Sequence, residues 1–286
     1  MKSIVYKNIL VPVDYSPCSE NAVLYAAEMA KSLGATLYLY HAYHISSVYT
    51  GRLNLKALNN MNEKLEKENQ AQIKKVSEHI EQKFSGVKVN CLLDYTLFTD
   101  GLDNVVEKNK IDLIVIGTKG ATGLNELVGS NASYIVESVK CPVLVIPQNT
   151  VFKPLKKVLY ATDFQCDDAQ SLKQLTELVA AFDPCIIVGH VPGVELNRDE
   201  DRMDGLREIA KEQINYSNIV YHTIAQREDV FSSLNAFIDE HQIEVIAMTR
   251  QNKSFIKRLF TGSLTKKMAY HSHIPLLAFH FKKDVQ

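Results

Sequence analysis

The chain has 286 residues, 46% apolar and 23% charged, with a formal net charge of −1. That is room for two ordinary domains with real cores, and nothing global in it points to nucleic acid or to an anionic membrane. The five cysteines (Cys18, Cys91, Cys141, Cys166, Cys185) are scattered and never spaced C-x-x-C, which argues against a disulfide framework or a zinc ribbon and predicts a reducing, cytoplasmic setting.

The start, MKSIVYKNILVPVD, has an apolar run too short and interrupted for a signal peptide and reads as a strand. No apolar run approaches the roughly 20 residues that a membrane helix needs. In chain order, KNILVPV predicts a strand and SENAVLYAAEMAKSLG a helix closed by Gly34. ATLYLYHAY predicts a second strand. The segment from Asn54 to Phe84 follows, with Leu55, Leu58, Met61, Leu65, Ile73, Val76, Ile80 and Phe84 at helical spacing, and predicts a long amphipathic helix. VKVNCLL (strand), DGLDNVVEKN (helix), DLIVIG (strand), a helix from about Ser130 to Val139 and PVLVIP (strand) complete the unit. Short apolar strands between helices mean a parallel sheet buried on both faces, and right-handed crossovers then give a doubly wound α/β domain.

The chain then repeats itself. Asp14 aligns with Asp163 and His41 with His190, both at an offset of 149. IDLIVIGT aligns with IEVIAMTR at an offset of 132, and VGSNASYIVESVKCPVLVIP with TGSLTKKMAYHSHIPLLAFH at 133. The repeat predicts two tandem α/β domains of one type, residues 1–150 and 151–286, divided near QNTVFKP. The fall from 149 to 132 gives the first copy 17 extra residues between His41 and Asp112, around the long helix. The rise to 133 leaves it one residue short inside the glycine-rich loop. PVLVIP and PLLAFH would each leave a pairing edge open, so they are expected to pair antiparallel with one another about a pseudo-twofold.

In such sheets ligands bind beyond the carboxyl ends of the strands, where strand order reverses. Asp14, His41 and Gly117 fall at or near such ends. The loop GTKGATGLNELVGS carries four glycines, Gly117, Gly120, Gly123 and Gly129, and ends in Gly129-Ser130 before a helix. Bare backbone and a helix N-terminus favour an anion. No Gly-Lys-Ser/Thr occurs, so this is not a P-loop, and no G-x-G-x-x-G follows the first strand.

The combination VPVDYS, LYHAY, GTKGATGLNELVGS and CPVLVIP resembles the universal stress protein family in its tandem form, over nearly the whole chain twice, with the first copy the closer match. The resemblance implies a five-stranded Rossmann-like domain, pairing of domains through their last strands, and, in one branch, ATP binding through Gly-x2-Gly-x9-Gly-Ser/Thr. Carried over, it places adenine and ribose contacts on Pro12, Val13, Asp14 and Ala42, with Ile116 beneath the ring. Phosphate contacts fall on Gly117, Gly120, Gly129, Ser130 and Asn131. The first copy departs from the pattern by having eight residues between Gly120 and Gly129. The second keeps the full spacing before Gly262-Ser263 but has Thr249 and Asn252 for the first two glycines. Nucleotide is therefore expected in the first domain alone, with the side chains of Thr249 and Asn252 standing in the phosphate path of the second. Gly117→Val is expected to abolish binding without unfolding the domain.

Other candidates have plainer readings. Asp14 and Asp163 suit helix caps or turns as well as ligands. His41 and His190 read as packed, hydrogen-bonded strand-end residues. His271, His273 and His280 lack a neighbouring carboxylate or cysteine cluster, and no metal site is assigned. The basic run Arg250–Lys267 reads as a solvated face. The tyrosines are scattered in sequence and suggest no stacking platform for nucleic acid. No catalytic residue is assigned, since no Ser-His-Asp or Cys-His set assembles locally; slow ATP hydrolysis is the most the chain would do. The function expected is that of a stress-response regulator binding ATP or a related adenine nucleotide. The alternatives are an interaction or scaffold module, and a carrier of a small ligand in the second domain. Protein partners and a homodimer are left open.

Overall fold

The structure is a computed structural model of the full chain. It describes residues 6–43, 55–118, 132, 134–136, 139–164, 168–193, 196–250 and 274–280. The first half runs β1 (Asn8–Pro12), α1 (Pro17–Leu33), β2 (Thr36–Tyr43), α2 (Leu55–Lys83), β3 (Lys88–Tyr95), α3 (Phe98–Lys108), β4 (Leu113–Gly117) and β5 (Val143–Ile146). The second runs β6 (Lys157–Ala161), α4 (Asp168–Val179), β7 (Cys185–His190), α5 (Leu196–Gln213), β8 (Ile219–Thr223), α6 (Val230–His241), β9 (Val245–Arg250) and β10 (Leu276–His280). The helix expected between Ser130 and Val139 lies mostly outside the described residues.

Local signals account for the elements. Ser16 caps α1 by accepting from the Ser19 amide, Pro17 sits where a missing N–H costs nothing, and Gly34 closes the helix at φ 65. α2 has 29 residues and its counterpart α5 has 18, so 11 of the 17 extra residues lengthen this helix. Asp112 accepts the backbone N–H groups of Lys7 and Asn8 at 2.8 and 2.9 Å. Its repeat equivalent Glu244 accepts those of Lys156 and Lys157. In both halves a carboxylate just before the fourth strand thus pins the start of the first.

Among the described residues the strands form one ten-stranded sheet in the order β3-β2-β1-β4-β5-β10-β9-β6-β7-β8. Each half has the doubly wound order 3-2-1-4-5, and every pairing is parallel except that of β5 with β10. Those two last strands pair antiparallel, as the open-edge argument required. Leu144 lies opposite Leu277, which is its own equivalent at the repeat offset of 133, so the pseudo-twofold passes through that pair.

Side chains alternate between two layers. Ile9, Val11, Leu144 and Phe279 face α1, α2, α4 and α5, whereas Leu10, Ile114, Val145 and Ala278 face α3 and α6. Both layers run unbroken from one half into the other. The stretch near residue 150, polar by sequence, is itself anchored. Phe152 is buried between the rings of Tyr25 (5.2 Å) and Phe182 (5.7 Å), and Asn21 Nδ2 donates to the carbonyls of Pro147 and Thr150.

Candidate functional site

Strand order in the first half reverses at β1, which has β2 on one side and β4 on the other. The crevice beyond their carboxyl ends is where a ligand would lie. Pro12, Val13 and Ile116 are buried there, and Asp14 and Ala42 are partly exposed. Val13 is committed to the scaffold: its N–H donates to the Tyr40 carbonyl at 2.8 Å, and its own carbonyl lies 2.7 Å from His41 Nδ1. A carbonyl only accepts, so Nδ1 carries the proton in that bond. Asp14 Oδ1 accepts from the amide of Ser16 at 3.0 Å and from its hydroxyl at 2.6 Å, and the Asp14 amide donates to Ser19 Oγ at 3.2 Å. Asp14 therefore holds the turn into α1 while remaining partly open to the crevice.

Tyr15 follows with φ 60, the left-handed region that aromatic residues rarely adopt. Its ring packs on His41 at 4.8 Å, and its hydroxyl is buried without a hydrogen-bond partner among the described residues. Burial pushes that phenol up to about 12. The second half repeats the device. Phe164 has φ 58, packs on His190 at 4.4 Å, and His190 Nδ1 lies 2.8 Å from the Thr162 carbonyl. The strand-end histidines are thus ring-packed clamps on the end of β1 and of β6, in keeping with the structural reading of both.

Gly117 corrects one expectation. A Cβ there would stand 2.7 Å from both the carbonyl oxygen and the Sγ of Cys18. The first thing its bare backbone admits is therefore the opening turn of α1, so Gly117→Val would disturb that packing as well as any phosphate path. Gly120, Gly129, Ser130 and Asn131 lie outside the described residues, as do Asn252 and most of the basic run 250–267.

The second half fills the equivalent place differently. Thr249, in the position of Gly117, has its hydroxyl 2.7 Å from that of Tyr160. Tyr160 donates to Asp168 Oδ1 at 2.7 Å, and the Thr162 hydroxyl donates to Asp168 Oδ2 at 2.6 Å. Thr162 Oγ1 also accepts the Phe164 amide at 2.9 Å. Asp168 aligns with Ser19 at the offset of 149 and is buried. Burial, then the Asp168 carboxylate, drives the Tyr160 phenol far above its ordinary range, so it stays a donor. The Thr249 side chain is thus drawn into a network under the crevice. That corrects the expectation that it simply projects into a phosphate path.

Beside this network, His190 Nε2 stands 3.3 Å from Asp199 Oδ2, close enough for an ion pair when the ring is protonated but not aligned as a hydrogen bond. Partial burial opposes the charged form of Asp199. The Gly193 N–H, His190 and Arg202 outweigh it and hold the carboxyl below its usual range.

The tyrosines read as scattered in sequence are partly gathered in space. His41 and Tyr43 lie nearly parallel with ring centres 6.2 Å apart, and Tyr43 meets Tyr95 edge-on at 5.6 Å. With Tyr15 they form a line of rings across the carboxyl ends of β1, β2 and β3. The signal was available only through register, since Tyr43 and Tyr95 are direct partners in the β2–β3 pair. In the second half Pro192 and no tyrosine stands at the position of Tyr43. Among the described residues no group of three or more His, Cys, Asp or Glu side chains is placed to hold a metal, and no helix is long and apolar enough to cross a membrane.

Comparison with known proteins matches the sequence model described as "Universal stress protein family" to residues 5–147 and again to 154–280. A universal stress protein of Methanocaldococcus jannaschii is 34% identical over 143 residues, covering 50% of this chain and 82% of the relative. A universal stress protein A homolog of Coxiella burnetii is 33% identical over 148 residues, covering 49% of this chain and 96% of the relative. The crystal structure of a universal stress protein from Archaeoglobus fulgidus superposes with a TM-score of 0.68 at 18% identity, covering 99% of this chain and 100% of that one. At that identity the likeness speaks for the fold.

Proposed function

The chain belongs to the universal stress protein family, in tandem form, and on that premise we propose that its first domain (residues 1–150) binds ATP or a related adenine nucleotide. The second (residues 151–286) is a degenerate partner that binds none. The protein then acts as a cytoplasmic regulator whose bound state is read by other proteins or by the packing of the two domains. The observation that carries this reading is the asymmetry of the two crevices. The first presents Asp14 and Ala42, partly exposed, beside buried Ile116 at the point of strand reversal. The second holds a buried carboxylate and three hydroxyls bonded to one another at the equivalent place.

The fit is chemical. Ala42 and Ile116 offer apolar contact to a base, and Asp14 offers an acceptor to a ribose or an exocyclic amine. Phosphates would meet the backbone N–H groups of the loop that carries Gly120, Gly129, Ser130 and Asn131. A buried carboxylate under the second crevice opposes a polyanion.

One observation favours the alternative, an interaction module in which the loop is a relic. Gly117 is already required by Cys18, so its being glycine does not by itself speak for phosphate. Extraction separates the two. Protein purified without added nucleotide is denatured, and the supernatant is analysed by absorbance and mass. The intact chain is then titrated with ATP alongside Gly129→Val. Adenine nucleotide released from, or bound by, the wild type and lost in the variant supports the proposal. No release and no binding at millimolar ATP overturns it.

A further inference from the structure

The two outer edges of the ten-stranded sheet are built differently. β8 is short, five residues, and its flanks are occupied: Arg207 lies over the Tyr221 ring at 5.0 Å, and His222 packs on Phe237 and His241. β3 is eight residues long, four of them exposed and none fully buried. No described strand lies beyond it. It has no proline, its middle (Val89–Leu93) is uncharged, and its two charges, Lys88 and Asp94, stand near opposite ends. Tyr95 (53% exposed) and Leu97 (50% exposed) continue the apolar surface past its carboxyl end. A long edge without a central charge, proline or bulge is a template for pairing with another strand. The strand pair that serves an open edge elsewhere, β5 with β10, is closed within the chain.

We propose that β3 is the homodimer edge of this protein, pairing antiparallel with β3 of a second copy about a twofold axis at Cys91. The charges choose that register. With Cys91 opposite Cys91, Lys88 falls opposite Asp94 of the second copy on both sides of the axis, and Val89 falls opposite Leu93. Lys88, Asn90, Leu92 and Asp94 share one face of the strand, so each opposite pair meets on the same side. A slip of one residue places Asp94 opposite Val89 or beyond the end of the pairing, and both charge pairs are lost. The pseudo-dimer of domains becomes one unit of a twenty-stranded sheet. The contact is an edge of seven paired residues, about 23 Å long, so the association is weak and concentration-dependent.

Cys91 reports the axis. It is a free, exposed cysteine, and antiparallel partners have Cα atoms about 4.5–5.5 Å apart, within disulfide reach. Partial burial raises its thiol above the ordinary range and leaves less thiolate, and joining two thiols releases two electrons and two protons, which the added oxidant takes up. The test is light scattering of the intact chain between roughly 10 and 200 µM, with and without ATP, paired with copper–phenanthroline oxidation. The expected result is a dimer fraction that rises with concentration and a disulfide-linked dimer that Cys91→Ser removes. Lys88→Glu, at an exposed residue, places like charges opposite each other. It should shift the midpoint of dimerisation at least tenfold upward with an unchanged circular dichroism spectrum. A monomer throughout the range overturns the proposal. So does a dimer indifferent to Lys88→Glu and not linked through Cys91, since its interface lies elsewhere. Neither outcome depends on whether nucleotide binds.

Discussion

The ends of β4 and β9 occupy the same place in two copies of one fold, yet they solve the same packing problem in opposite ways. At β4, Gly117 omits its side chain and lets the backbone of Cys18 come within what would be 2.7 Å of a Cβ. At β9, Thr249 keeps a side chain and joins it to Tyr160, whose hydroxyl is also held by Asp168. The residues change together: Val11 becomes Tyr160, Ser19 becomes Asp168 and Gly117 becomes Thr249. At this place a threonine in the position of a glycine adds a hydroxyl that must be paired, and the buried carboxylate nearby must find its own donors.

The comparison breaks first at what the halves share. Leu144→Asp and Leu277→Asp each place a carboxylate at the pseudo-twofold, inside the apolar layer that both side chains share. Each should cost on the order of 4 kcal/mol or prevent folding. Chemical denaturation of the two variants should give equal losses, because the axis makes the sites equivalent. A loss confined to one of them would mean that the halves are not coupled as the sheet implies.

Next in size is the glycine itself. Gly117→Val forces β4 and α1 apart and should lower stability by about 2–3 kcal/mol, as overpacking does, measurable in urea without any nucleotide. A stability unchanged from wild type would return Gly117 to a purely phosphate-facing role. Tyr160→Phe should cost about 1–2 kcal/mol, since it removes one donor from a buried carboxylate and leaves Thr249 without that contact. The corresponding first-half residue is Val11, apolar and buried, so no such network stands there to be lost.

The smallest effect concerns Asp199. Its carboxyl is held below the ordinary range, so its contribution is present above the unfolded-state value and is lost as pH falls through the lower folded value. Asp199→Asn should therefore lower the melting temperature by roughly 2 °C at pH 7, and the difference from wild type should shrink as pH falls below the ordinary carboxylate range. A difference independent of pH would point to packing of the α5 start and not to charge.

Much of the fold was legible in the sequence because it follows from local pattern. The apolar runs gave the strands, Gly34 gave the end of α1, and the change of offset from 149 to 132 foretold that α2 would outrun α5. Pairing of β5 with β10 followed from the cost of two open apolar edges. What sequence did not show depends on which side chains meet across elements. Phe152 reads as part of a polar boundary until Tyr25 and Phe182 close on it. Tyr43 and Tyr95 are 52 residues apart and become neighbours only through the β2–β3 register. Gly117 reads as ligand-facing until α1 is laid against β4. At the candidate site, Asp14, Ala42 and Ile116, expected there from the sequence, lie at the carboxyl ends of the neighbouring strands β1, β2 and β4. Their prior commitments, Asp14 to Ser16 and Val13 to His41, could not be read from spacing.

Whether one crevice of the two takes nucleotide is decided by calorimetric titration of the intact chain with Mg-ATP. One site per chain is expected, abolished by Gly129→Val and untouched by Gly262→Val at the equivalent position of the second half. Two equivalent sites per chain, or a single site lost in Gly262→Val and kept in Gly129→Val, would contradict that expectation.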